Sequence, residues 1–134
     1  MCLEKNTKIF MADGSQKPIN MIRIGDMVMS KDAPQLVRNV WQGTEEHMMC
    51  IELRNGFRII LTENHPVKTT TEMKRASEID ENDEILISNG EKCKIASISC
   101  IEYNERVYNL DISGNIMFAE GIAVGDFEVQ NEIR

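Results

Sequence analysis

No apolar run in this 134-residue chain approaches the ~20 residues that a membrane-crossing helix needs. The opening Met1-Cys2-Leu3-Glu4-Lys5 has no apolar stretch to serve as a secretory signal. A basic stripe is missing as well. The net charge is −7, which argues against a nucleic-acid binder and favours solubility. Four cysteines (Cys2, Cys50, Cys93 and Cys100) contain no Cys-x-x-Cys pair and are too few for a disulfide scaffold at this length. Reduced thiols and a cytoplasmic setting are the default expectation. His47 and His65 lie far apart in sequence, so a zinc site has little support. Residues 80–84 are acidic but lack the spacing of a calcium-binding EF-hand. No metal or cofactor is expected. Sustained helical periodicity is also missing, since residues 17–22 and 73–79 would each form only a turn or two.

What is present reads as many short strands. At 42% hydrophobic and 28% charged, the composition suits a soluble domain of ordinary size. Apolar runs at residues 9–11, 27–29, 36–41, 48–53, 57–61, 66–69, 84–88, 94–101, 106–112, 116–119 and 122–124 are rich in isoleucine and valine. Asn55-Gly56 between two such runs is a strong hairpin signal, because both central residues tolerate positive φ. No linker or low-complexity segment interrupts the chain, so the expectation is one all-β domain over residues 1–134, with a core at about residues 2–126. A monomer is the default. Trp41 is expected to be partly buried against a strand neighbour, and residues 45–47 to form a solvated turn.

The chain also resembles itself. Residues 22–29 and 79–86 match 57 residues apart, and Arg54-Asn55-Gly56 and Ile112-Ser113-Gly114 both introduce a strand 58 residues apart. Two agreeing offsets point to a duplicated half and a pseudo-two-fold axis. A cleft between such halves is a natural place for a site.

The residues permit a particular chemistry. A cysteine thiol reaches the carbonyl of its own upstream peptide through a five-membered ring. Intramolecular attack of this kind has effective molarities on the order of 10⁵ M or more. Cys2 would then form a thioester with the segment before it. The step needs a base for the thiol, donors for the oxyanion and an acid for the departing amine. Thr62-Glu63-Asn64-His65 offers a hydroxyl and an imidazole three residues apart, just after a strand. Taken singly, each residue has a bland explanation. A histidine before proline also caps loop backbone, and a cysteine near a terminus is often inert.

Taken together, these segments resemble the Hint domains, which comprise inteins, bacterial intein-like domains and the hedgehog autoprocessing domain. The front carries Cys2-Leu3, Thr7, Ile9, Asp13-Gly14, Lys17, Ile19, Ile22, Gly25-Asp26 and Val28. The middle carries Gly56 and then Thr62-Glu63-Asn64-His65-Pro66-Val67, similar to the family's Thr-x-x-His block. Ala76, Ile79 and Asp83-Glu84-Ile85 follow, and the back carries Val107-Tyr108-Asn109-Leu110 and Phe118-Ala119-Glu120-Gly121-Ile122-Ala123-Val124. The resemblance implies a horseshoe-like all-β fold with a pseudo-two-fold. It also implies covalently attached flanking polypeptide segments as partners and no room for an inserted endonuclease. Cys2 would perform an N-to-S acyl shift, His65 would protonate or distort the scissile amide, and Thr62 would hold the intermediate with Asn64. Asn109 falls where the family often has an aspartate that supports the first steps.

The pattern breaks at the end. Inteins usually finish in His-Asn followed by Cys, Ser or Thr, whereas this chain has Gly125-Asp126-Phe127. Gly125 offers no acid or base. Asp126 has a carboxylate, a poorer cyclising nucleophile than an asparagine amide, and Phe127 accepts no acyl group. Asn131, the other possible anchor, has no adjacent histidine. The expectation is N-terminal cleavage without splicing, the thioester being released by water or a thiol. Residues 127–134 would be a downstream segment or a closing strand. Met1 is either a start residue or a one-residue stand-in for the upstream segment. The rival readings are a catalytically decayed fold serving as a structural or interaction module, and a thiol enzyme using Cys50, Cys93 or Cys100 with His47.

Overall fold

Two long strands organise the chain. In the computed structural model, which describes residues 2–132 (main chain alone for residues 130–132), β6 (Asn39–Leu53) and β11 (Lys92–Asp111) pair antiparallel along most of their length. Register shifts at Ile95/Ser97 and Glu102/Glu105 let the pair bend, as bulges do. Met1, Ile133 and Arg134 lie outside the described residues, as does the side chain of Asn131.

The remaining elements attach to this pair. Before it come β1 (Leu3–Glu4), β2 (Lys8–Phe10), β3 (Gln16–Pro18), a 3₁₀ turn at Ile19–Met21, β4 (Met27–Val28) and β5 (Gln35–Leu36). Between the long strands lie β7 (Arg58–Leu61), β8 (Pro66–Lys68), β9 (Met73–Arg75), a second 3₁₀ turn at Ala76–Glu78 and β10 (Glu84–Leu86). After it come β12 (Ile116–Ala119), β13 (Ile122–Gly125) and the helix α1 (Phe127–Glu132). One sheet runs β1-β7-β6-β11-β10, and β1 also pairs with β11, so four strands close into a ring. The other runs β3-β2-β12-β13-β8-β9, a palindrome about the β12–β13 hairpin. Leu3, Ile9, Leu61, Val67, Leu110 and Val124 belong to one core cluster that joins the two sheets. No helix among the described residues is long and apolar enough to cross a membrane.

The internal duplication is visible in hydrogen bonds as well as strands. Lys17 Nζ donates to Asp26 at 2.9 Å, and Lys74 Nζ donates to Asp83 at 3.0 Å. The Arg23 and Asp80 backbone N–H groups donate to the same two carboxylates, each at 3.0 Å. Leu3 pairs directly with Leu61 where the two halves meet. The fold is the all-β horseshoe with a pseudo-two-fold axis.

Several local expectations need correcting. Residues 127–132 form a helix rather than a closing strand, because Asp126 supplies an N-cap and the apolar Phe127 and Val129 dock on the strands. Residues 45–47 lie within β6, not in a turn, with Glu45 and His47 paired to Glu105 and Glu102 of β11 on either side of a register shift. Residues 73–79 begin as strand and only then make a 3₁₀ turn. Trp41 is 40% exposed and stacks on Phe127 of α1 at 4.6 Å between ring centroids, so its partner is helical.

Candidate functional site

Cys2 enters the fold at the mouth of the strand ring. It is buried, as is Thr62, the first residue beyond β7. The two are tied reciprocally. The Cys2 N–H donates to Thr62 Oγ1 at 2.9 Å, and the Thr62 N–H donates to the Cys2 carbonyl at 2.9 Å. The Thr62 hydroxyl donates in turn to Asn64 Oδ1 at 2.9 Å. With its proton engaged by Asn64, Thr62 Oγ1 presents a lone pair to the amide nitrogen of Cys2.

The turn that follows carries His65. Its N–H donates to the Thr62 carbonyl at 3.1 Å, and its carbonyl accepts from Ala76 N–H at 2.9 Å. The ring is fully buried, and Nε2 lies 2.9 Å from the carbonyl oxygen of Gly125. A carbonyl only accepts, so Nε2 carries a proton and donates it to Gly125.

The Cys2 thiol is not pre-ionised. Burial among Met48 and Val107 pushes its pKa up to about 11, and the Glu45 carboxylate pushes the same way. At neutral pH about one thiol in 10⁴ is then thiolate, so attack needs a base. Asn109 is fully buried, and its Oδ1 accepts from Leu110 N–H at 2.9 Å. Leu3 pairs with Tyr108, and carrying that register on by one residue sets Asn109 across from Cys2.

Asp126 sits elsewhere, beyond β13. Its carboxylate accepts from Ile112 N–H at 2.7 Å, Gly114 N–H at 3.0 Å and Val129 N–H at 2.9 Å. Burial raises its pKa more than these three donors lower it, and Asp111 adds to the rise. Oxygens of Asp111, Asp126 and Glu128 lie within 4.8 Å of one another, an acidic group that sequence reading did not find. Gly125 is closed in too. A Cβ there would meet Val129 Cγ1 at 2.6 Å and Pro66 Cγ at 2.8 Å.

Cys2, Thr62 and Asn64 are therefore joined in one hydrogen-bonded chain, and the backbone turn extends it to His65. A cavity of about 860 Å³ opens beside Thr62 and Asn64, lined also by Glu45, His47 and Cys100. Sequence reading missed Glu45, which folds in from β6, and the Gly125 carbonyl, a main-chain atom with no residue signature. Asp126 as a cap did have one. It is an aspartate just before a first turn that holds Glu128.

A family model described as "Hom_end-associated Hint" matches residues 2–74, more than half of the chain. The chain belongs to this Hint family. Membership makes it, by class, a self-processing domain. Solved structures agree on the fold. The gp41-1 intein is 25% identical with a TM-score of 0.83, over 92% of this chain and 96% of that one. The DnaB intein from Synechocystis sp. PCC 6803 is 19% identical with a TM-score of 0.84, over 93% and 97%. The bacterial intein-like domain from Clostridium thermocellum is 18% identical with a TM-score of 0.81, over 93% and 98%. No curated protein matches the chain.

Proposed function

We propose that this Hint domain, read as a single unit with its core at about residues 2–126, cleaves the peptide bond before Cys2 by an N-to-S acyl shift. The partner is a covalently attached upstream segment. The Cys2 sulfur adds to the preceding carbonyl carbon, giving a tetrahedral oxyanion. The C–N bond then breaks, the acyl group stays on sulfur as a thioester, and the proton lost by the thiol ends on the Cys2 nitrogen. His65, its Nε2–H held by Gly125, serves as the base and acid through Nδ1. Thr62 and Asn64 hold the nitrogen while it changes from amide to amine, and Asn109 has a supporting place beside Cys2. Water or an external thiol then takes the acyl group.

One observation carries this reading. The Cys2 amide nitrogen, which must leave, is held at 2.9 Å by Thr62, three residues from the buried His65 on the same turn. Splicing is not part of the proposal. The Asp126 carboxylate is engaged by three backbone N–H groups, and Val129 and Pro66 fill the space where a residue-125 side chain would go. The test is a reporter polypeptide fused before Cys2. Added thiol is expected to release it from the native chain and not from Cys2→Ala. Equal release from both would reject the reading. That outcome would favour a decayed Hint fold serving as a structural module, a second reading that the buried Cys2 thiol recommends.

A further inference from the structure

We infer that α1 is a strut for His65, with Asp126 and Val129 as positioning residues that fix the imidazole through the Gly125 carbonyl. This rests on the reading of His65 as the acid and base of cleavage. The contact in question is Nε2–H to Gly125 O at 2.9 Å. Such a contact sets which ring nitrogen carries the proton and where the other one points. Gly125 is the last residue of β13, and strand ends fray unless something ties them down.

Gly125 pairs with Ile116 in the β12–β13 ladder, and further contacts tie this strand end to α1 and Pro66. The Asp126 carboxylate bridges the turn after β11, through Ile112 and Gly114 N–H, to the first turn of α1, through Val129 N–H. Val129 is itself buried and lies against Gly125 so closely that a Cβ at 125 would be 2.6 Å from its Cγ1. Pro66, the neighbour of His65, closes the other side at 2.8 Å from the same point. Phe127 anchors the start of the helix by stacking on Trp41, which pairs with Asn109 in the β6–β11 ladder. Moving α1 would therefore move the Gly125 carbonyl, and with it the His65 ring. Aspartate at 126 acts as a carboxylate bridge between main-chain donors, a role that needs no cyclisation.

The test uses the full chain with a reporter before Cys2. Nitrogen-15 NMR of the His65 ring reads the tautomer, and thiol-induced release reads the rate. The native chain is expected to show Nε2–H alone. Asp126→Ala is expected to give a tautomer mixture and a rate about 10–100-fold lower, the scale of a misplaced catalytic group. Phe127→Ala is expected to shift both readouts in the same direction, and Phe127→Tyr, which keeps the ring, to restore them. If Asp126→Ala does not fold, the phenylalanine pair decides. An unchanged tautomer together with a rate within about twofold of native in a folded variant would overturn the strut. If the native chain releases no more reporter than Cys2→Ala, the cleavage reading fails, and the tautomer alone then judges the strut.

Discussion

Residues 4–7 and residues 62–65 form the same turn twice. Thr7 N–H donates to the Glu4 carbonyl at 3.0 Å, and His65 N–H donates to the Thr62 carbonyl at 3.1 Å. The Thr7 carbonyl accepts from Ile19 N–H, and the His65 carbonyl accepts from Ala76 N–H. Even the next bonds match: Asn20 N–H donates to the Lys5 carbonyl, and Ser77 N–H to the Glu63 carbonyl. The side chains differ completely in consequence. Glu4-Lys5-Asn6-Thr7 leads out of β1, which Cys2 precedes, whereas the turn at Thr62-Glu63-Asn64-His65 holds the Cys2 amide through Thr62. Backbone bonds preserve the duplicated frame, and on one copy Thr62, Asn64 and His65 are the side chains proposed for chemistry.

The comparison can be broken most strongly at its last position. His65→Thr makes the second turn like the first. Thiol-induced release is expected to fall about 10²–10⁴-fold, the usual contribution of a general acid–base, while the fold persists by circular dichroism. Release within a few-fold of native would mean that His65 is only structural. A smaller effect is expected from the first turn. Thr7 is buried, and among the described residues its Oγ1 has no hydrogen-bond partner. Thr7→Val removes that hydroxyl at nearly constant shape, so urea denaturation is expected to show a gain of about 1 kcal/mol. A loss of similar size would show that the hydroxyl is satisfied.

The smallest effect belongs to the paired lysine–aspartate contacts, which sharpen the likeness. Asp26 is held below the ordinary carboxylate range by the Lys17 hydrogen bond and the Arg23 N–H. Burial pushes Asp83 up, but the Asp80 N–H and Lys74 outweigh it, and the net shift is down. A carboxyl with a lowered folded pKa contributes stability above its unfolded value, about 3.9, and loses it as pH falls through the folded value. Asp26→Ala and Asp83→Ala are each expected to flatten the loss of stability below about pH 4, by similar amounts. A flattening in one variant alone would show that the two halves no longer share this device.

How much of this was legible in the sequence follows from where solvent lies. β12 was readable residue for residue because Ile116-Met117-Phe118-Ala119 is a bounded apolar run. β6 and β11 were read in pieces. Residues 44–47 and 102–106 are mostly exposed, so no apolar alternation marks them, yet the two strands pair with each other on both sides of the register shift there. β1 and β3 are too short to show a period, and Lys17-Pro18 does not look like strand. α1 spans six residues, below any helical periodicity, and only its Asp126 cap announced it. Cys2, Thr62 and His65 stood out by the chemistry their side chains permit, and the family resemblance added Asn64. The Gly125 carbonyl and Glu45 reach the site by folding alone.

The central claim is that Cys2 takes the upstream acyl group onto sulfur. The most direct measurement is the intact mass of a reporter released from before Cys2 by an added thiol. A reporter carrying the thiol as a C-terminal thioester, absent from the Cys2→Ala chain, is the expected result. A reporter released from both chains as the plain acid would contradict it.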